Sequence, residues 1–153
     1  ETKGDIIAEY CKLKPIQSAK KYYVNSTDEY PILFVIAAMT KGISSFKGIK
    51  DLANKESNRI REMKNVLSQI GVKCKSNKNE MKIFGKKKIN KLNKTIKVPN
   101  LGDHRICMSA AILSLVTGIS AKINNFETVK TSSPSFLNII KSLGGQFEIK
   151  KKS

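Results

Sequence analysis

The amino-acid sequence predicts an α+β fold with internal pseudo-symmetry, and three observations carry that prediction. Two helix-length runs, 29–41 and 104–117, are apolar on nearly every face, which marks buried helices rather than surface ones. Each follows an aspartate and closes on Gly-Ile-Ser: "DEYPILFVIAAMTKGIS" from Asp28 and "DHRICMSAAILSLVTGIS" from Asp103. The spacing between the copies barely varies, with 75 residues from Asp28 to Asp103, 76 from Gly42 to Gly118, and 75 again from Lys55 to Lys130. A repeated unit follows: buried helix, glycine, strand, lysine-bearing loop, amphipathic helix, glycine, strand. The copies occupy about 26–100 and 101–150, and residues 1–25 read as the tail of a preceding one.

In chain order, a strand is expected near 5–10, the first buried helix over 29–41 and a strand near 43–47. Ile60, Met63, Leu67 and Ile70, spaced by three and four, then define the apolar stripe of an amphipathic helix that covers one side of a sheet. Gly71 stops that helix. Strands are expected near 72–75, 81–84 and 95–98, with the basic stretch 86–94 as a hairpin extension or solvated loop. The second buried helix covers 104–117, and a strand follows near 119–124. Ser133 before Pro134 signals the start of the last helix, whose face carries Phe136, Ile140 and Leu143 and which Gly144 ends. A final strand is expected over 146–150.

A chain of 153 residues suits one domain with a real core. It contains no apolar run of about 18 residues and no signal-like start, so a soluble, cytoplasmic protein is expected. The first residue is Glu1 rather than Met, which suggests a piece of something longer. Cys11, Cys74 and Cys107 are isolated and odd in number, which fits neither a disulfide framework nor a metal site; they read as reduced thiols in the core or in strands. With one histidine, any His-based site must use His104. The net charge of +17 admits anionic partners, but much of the lysine arrives with asparagine and isoleucine, as in "KKKINKLNKTIK", a mix that AT-rich coding favours by itself.

Local charge is more informative. Asp28 precedes the first buried helix, Asp103-His104-Arg105 precedes its copy, and Lys55, Glu56, Arg59 and Arg61 crowd the opening of the first amphipathic helix. A helix N-terminus favours anions, so arginines there run against the dipole, a conflict that a bound phosphate or carboxylate would resolve. The bland alternatives are two N-capping aspartates and a solvated charged turn.

"GDI" at 4–6, "LKPI" at 13–16, "DEYPIL" at 28–33, "KESNRI" at 55–60, "GDHRICMSAA" at 102–111 and "TSSPSFLNIIKSLG" at 131–144 come in this order. Together they resemble the C-terminal part of the 3-phosphoshikimate 1-carboxyvinyltransferase (EPSP synthase) family, from about residue 4 to residue 150. The pair KES-x-R and GDHR is more specific than any single motif. The resemblance implies an inside-out α/β barrel domain of repeated units, paired with an N-terminal domain that this chain lacks. It also implies transfer of the enolpyruvyl group of phosphoenolpyruvate to the 5-hydroxyl of shikimate 3-phosphate, with no metal or organic cofactor. Substrates would be those two small molecules, with no nucleic acid or membrane partner and a monomeric complete enzyme.

By the same resemblance Asp28 is the base that contacts the shikimate hydroxyl, Glu56 exchanges a proton with the methylene of phosphoenolpyruvate, and His104 tunes Glu56. Arg59 and Arg105 match the ligands of phosphoenolpyruvate, and Lys55 a contact to the shikimate phosphate. Asn58 stands where the family usually has Asp. Thr131 stands where some members have a phosphoenolpyruvate lysine, with Lys130 one position away as the candidate. The chain alone is expected to be inactive. A sister class that acts on a UDP-amino sugar fits the KESNR and GDHR pair less well. A basic RNA-binding module would need aromatic residues among the lysines of 86–94, which has none, and a non-catalytic repeat domain is the third reading.

Overall fold

The computed structural model describes residues 4, 5, 7, 9–89 and 94–150. A short strand β1 (Gln17–Ser18) and a four-residue helix α1 (Tyr23–Ser26) lead into the apolar helix α2 (Tyr30–Ala38) and strand β2 (Gly42–Lys47). Helix α3 (Arg59–Gln69), a hairpin of β3 (Lys73–Ser76) and β4 (Glu80–Gly85), and strand β5 (Ile96–Val98) follow. Helix α4 (His104–Thr117), β6 (Ala121–Ile123) and α5 (Phe136–Ser142) complete the described chain. One sheet has the order β1-β2-β4-β3 and a second pairs β5 with β6. β1 runs parallel to β2, and β5 runs parallel to β6, each pair bracketing a buried helix in sequence.

The core forms where α2 meets the first sheet. Phe34 and Phe46 are fully buried with ring centroids 4.9 Å apart, and Tyr30 packs edge-on against both. The Tyr30 hydroxyl reaches Ser18 Oγ at 2.9 Å, so this aromatic cluster also secures β1. β4 passes so close beneath the end of α2 that a Cβ on Gly85 would sit 2.0 Å from the Ala37 carbonyl oxygen and 2.1 Å from that of Thr40. Glycine is required there, and the contact lets Lys86 N donate to Ala38 O at 2.9 Å.

Helix α3 buries Ile60, Met63, Val66 and Leu67, with Ile70 just beyond its end, so the stripe expected from the sequence is the face that packs. The end is set by Gly71, whose φ of 75° an L side chain would resist; Gly144, at 84°, does the same after α5. The side chain of Gln69 pairs with the β5 backbone in both directions, donating to Lys97 O at 3.0 Å and accepting from Lys97 N at 2.8 Å. β5 itself alternates buried Ile96 and Val98 with exposed Lys97.

Several expectations need correction. Residues 5, 7, 9 and 10 are not in a strand, and 6 and 8 lie outside the described residues; the early strand, parallel to β2, is Gln17–Ser18. Residues 146–150 are not a strand either. β3, in the matching place after α3, pairs only with β4, and the described residues after 145 hold no counterpart of β4 to bond to. For the same reason the apolar face of α5 is poorly covered: Ile140 is buried, but Leu143 is 61 % exposed. This helix starts at Phe136 after Ser135, not at Ser133, whose carbonyl accepts Phe136 N from within the preceding turn. Of the basic stretch 86–94, residues 86–89 form a loop and 90–93 fall outside the described residues. Cys74 lies in β3 and Cys107 inside α4, where burial pushes both thiols up to about 11, but Cys11 is exposed and outside any strand.

Phe34→Ala is expected to cost about 3–5 kcal/mol in urea unfolding, the range for a buried aromatic cut to alanine. Leu143→Ala should change stability by no more than about 0.5 kcal/mol. Equal losses would contradict this location of the core.

Candidate active site

Three connections deliver polar side chains to one place. Asp28 lies in a 3-10 turn (Thr27–Glu29) before α2, Glu56 and Ser57 precede α3, and Asp103 caps α4. The N-terminal ends of α2, α3 and α4 meet there, each with partial positive charge.

The centre of the arrangement is Arg59, the first residue of α3. Its side chain is 1 % exposed, and it gives four hydrogen bonds to three carboxylates. Nε and Nη2 reach Asp103 at 3.0 and 3.4 Å, Nη1 reaches Asp28 at 2.9 Å, and Nη2 reaches Glu56 at 2.6 Å. Asp28 and Asp103, which stand 75 residues apart in the two copies of the sequence pattern, thus meet on one guanidinium. The arginine at a helix start is reconciled with the dipole by the chain's own carboxylates. A charge this deeply buried is tolerable only with such partners.

Asp103 has no exposed side-chain surface. It accepts from Ser57 Oγ at 2.8 Å and Arg59 Nε at 3.0 Å, and it caps α4 by accepting from Arg105 N at 3.0 Å and Ile106 N at 3.4 Å. Burial alone would push its carboxyl up, but the hydrogen bonds from Arg59 and Ser57, the charge of Arg59 and the Ile106 N–H outweigh it and hold the group below its ordinary value. Asp28 is held below its ordinary value first by its hydrogen bond from Arg59; partial burial opposes this, and the charges of Arg105, Arg59 and Lys55 reinforce it. The capping alternative holds for Asp103 but not for Asp28, since the N-cap of α2 is Glu29 and makes no side-chain capping bond.

Arg105 is held more loosely. Nη1 lies 3.4 Å from both oxygens of Glu29 and Nη2 lies 3.6 Å from Asp28, at the margin of hydrogen bonding. Its Nε is buried with no partner among the described residues. Beside it an open cleft of about 180 Å³ separates α2 from α4, with Ile32, Met108 and Phe136 among its walls and Asp28, Glu29 and Arg105 on its polar side. Four carboxylates, of Asp28, Glu29, Glu56 and Asp103, face two guanidiniums here, with the charge of Lys55 nearby, so negative groups still outnumber positive ones.

Of the residues singled out in the sequence, Asp28, Glu56, Arg59 and Arg105 come together. Lys55 is exposed in the same loop as Glu56, and its charge acts on Asp28. No hydrogen bond or ion pair among the described residues ties His104 or Lys130 to the cluster. His104 is half-buried at the start of α4, and Lys130 is exposed on a 3-10 helix (Phe126–Thr131). That helix docks on the Asp103 turn through Thr128 Oγ1, which donates to Gly102 O at 3.3 Å. Arg61 points to solvent and pairs with Glu62. Ser57 and Glu29 carried no signal in the sequence, and Asp103 read as a cap; its second bond, to Arg59, depends on packing between α3 and α4. The described residues hold no group of three His, Cys, Asp or Glu side chains placed to bind a metal ion, and no helix long and apolar enough to cross a membrane.

A mixed α+β fold in which three helix starts gather two arginines and four carboxylates defines a polar, densely charged site at the mouth of a cleft. The sequence profile of EPSP synthase (3-phosphoshikimate 1-carboxyvinyltransferase) matches residues 4–140, and the chain belongs to that family. It is 33% identical over 151 residues to the 3-phosphoshikimate 1-carboxyvinyltransferase of Zymomonas mobilis, and 37% identical over 148 residues to that of Campylobacter jejuni. Each match covers 97% of this chain but 33% of the relative, so the chain spans about a third of the length of these proteins. A solved EPSP synthase from Acinetobacter baumannii superposes with a TM-score of 0.77 at 30% identity, over 92% of this chain and 32% of that one.

Because Asp28 and Asp103 both have folded pKa values below the ordinary 3.8, the unfolded chain binds more protons than the folded one as pH falls. Their contribution to stability is full above about pH 5 and is lost as pH drops through the folded values. Asp103→Asn is expected to flatten the dependence of unfolding free energy on pH between about 5 and 3, read by urea titration; an unchanged slope would count against the ion pair. Asp103→Ala, which strips a buried guanidinium of a partner, should cost about 3–5 kcal/mol.

Proposed function

We propose that the chain is the C-terminal part of an enzyme that transfers the enolpyruvyl group of phosphoenolpyruvate to the 5-hydroxyl of shikimate 3-phosphate. The products are EPSP and phosphate, on the route to chorismate and the aromatic amino acids. The observation that carries the reading is the meeting of Asp28, Glu56, Arg59 and Arg105 at three helix starts in a chain of this family.

The chemistry requires a base for the hydroxyl, an acid for the methylene, and fixed cations for the anionic substrates. Asp28, half-exposed, is the group that takes the hydroxyl proton; Arg59 keeps it ionised and so ready to accept, though at some loss of basicity. Glu56 gives a proton to the methylene and later takes one back, with His104 tuning it. Arg105, with a buried Nε that lacks a partner, takes the carboxylate of phosphoenolpyruvate together with Arg59. Lys55 reaches for the shikimate phosphate, and Lys130 is the further phosphoenolpyruvate contact.

The excess of negative charge in the cluster bears on completeness. Two anionic substrates will not settle beside four carboxylates and two arginines unless further cations face them. Those belong to the N-terminal domain of the same enzyme, across a cleft of which this chain forms one wall. The two repeat units, about 26–100 and 101–150, belong to that longer protein, which works as a monomer in the cytoplasm with no nucleic acid or membrane partner.

Residues 1–153 alone are expected to form no EPSP from the two substrates, and the full-length polypeptide that carries them is expected to form it. Asp28→Ala in that polypeptide should lower kcat by about a hundred- to ten-thousand-fold. Turnover by the isolated chain, or an unaffected Asp28→Ala enzyme, would overturn the reading.

A further inference from the structure

Arg59 is the proposed ligand of a substrate carboxylate, yet its donors already hold carboxylates. We infer that Glu56 is a displaceable counter-ion: the incoming carboxylate exchanges with it on Arg59 Nη2, and the exchange frees Glu56 for proton transfer. This rests on the function proposed above and adds an order of events to it.

The three carboxylates on Arg59 are not equally easy to move. Asp103 is wholly buried, takes the Nε and Nη2 edge of the guanidinium, and is also bound by Ser57 Oγ and two backbone N–H groups. It fixes Arg59 in orientation and stays. Asp28 bridges the two arginines, at 2.9 Å to Arg59 and 3.6 Å to Arg105. Glu56 is 47 % exposed, sits in the loop before α3 on the more flexible side chain, and its one recorded hydrogen bond among the described residues is that to Nη2 at 2.6 Å.

Displacing Glu56 therefore breaks one bond, and its carboxylate then meets water. The exchange keeps the charge balance, since one carboxylate arrives as another leaves and the buried guanidinium is never without its counter-charge. Arg105 lies on the other side of Asp28 and is held only by contacts of 3.4–3.6 Å, so its guanidinium is loose enough to turn toward the same anion. While Glu56 is bound to Arg59, its oxygen is committed to a charge-assisted hydrogen bond and is not free to contact a substrate. Once the substrate has taken its place, the freed carboxylate takes up a proton from water and can pass it to the methylene. Asp103, with Ser57 behind it, is then a positioning residue that holds Nη2 where the exchange takes place.

The test measures phosphoenolpyruvate dissociation constants and turnover in the full-length polypeptide, for wild type, Glu56→Gln and Asp103→Asn. Glu56→Gln replaces a charged competitor with a neutral one of the same shape. It should bind phosphoenolpyruvate about five- to tenfold more tightly while turning over far more slowly. Asp103→Asn should bind more weakly, since Arg59 loses its orientation. Equal or weaker binding by Glu56→Gln would overturn the exchange and leave the proposed function standing. Absence of phosphoenolpyruvate binding in every form, wild type included, would remove both.

Discussion

The structure depends on one buried guanidinium. Arg59 draws Asp28 from the turn before α2, Glu56 from its own approach loop and Asp103 from the cap of α4, so three helix starts that are distant in sequence share a fixed point. Hydrophobic burial holds α2 and α4 in the core, but it is non-directional and says little about how their ends align. The ion pairs supply that alignment. Their cost is the desolvation of a charge in the interior, and the arrangement offsets it by engaging both edges of the guanidinium and by giving Asp103 further donors.

The same pairing gives the cluster two electrostatic layers. Toward the protein, Asp103 and Arg59 form a closed, fully satisfied contact. Toward solvent, Asp28 and Glu56 are half-exposed and Arg105 is held only by contacts of 3.4–3.6 Å. The inner layer is scaffold and the outer layer is available for chemistry, an arrangement suited to a site that must be preorganised yet admit a charged ligand.

Where the sequence was legible, a short-range rule decided the outcome. Helix α4 covers the residues expected of it, because an apolar run between a capping aspartate and a glycine admits few other boundaries. α3 was equally clear in its stripe, though it begins at Arg59 with Asn58 as its cap, which leaves Lys55 and Glu56 in the loop. Expectations failed where a partner decides. Residues 146–150 alternate as a strand should, but alternation cannot provide a neighbour to bond to. Asp28 has the composition of a cap and spends its carboxylate on Arg59 instead. Arg59 read as a residue awaiting an anion, and only packing revealed that the anions were already present on the chain.

The pairing of Gln69 with Lys97 acquires a meaning when set beside the ion pair at the other end of the same helix. α3 is fastened twice to the segment that joins β5 to α4, at its last residue through Lys97 and at its first through Asp103. The helix is about 15 Å long between those points, at 1.5 Å per residue. The six steps from Lys97 to Asp103 extend to about 20 Å at most. The connection therefore has about 5 Å to spare, and α3 sets the span that it must cover. Removing two residues between Val98 and Gly102 would cut its reach to about 14 Å, short of that span. An inserted residue would let the aspartate drift from it. In this stretch chain length, rather than side-chain identity, carries the information that sets the geometry of the site.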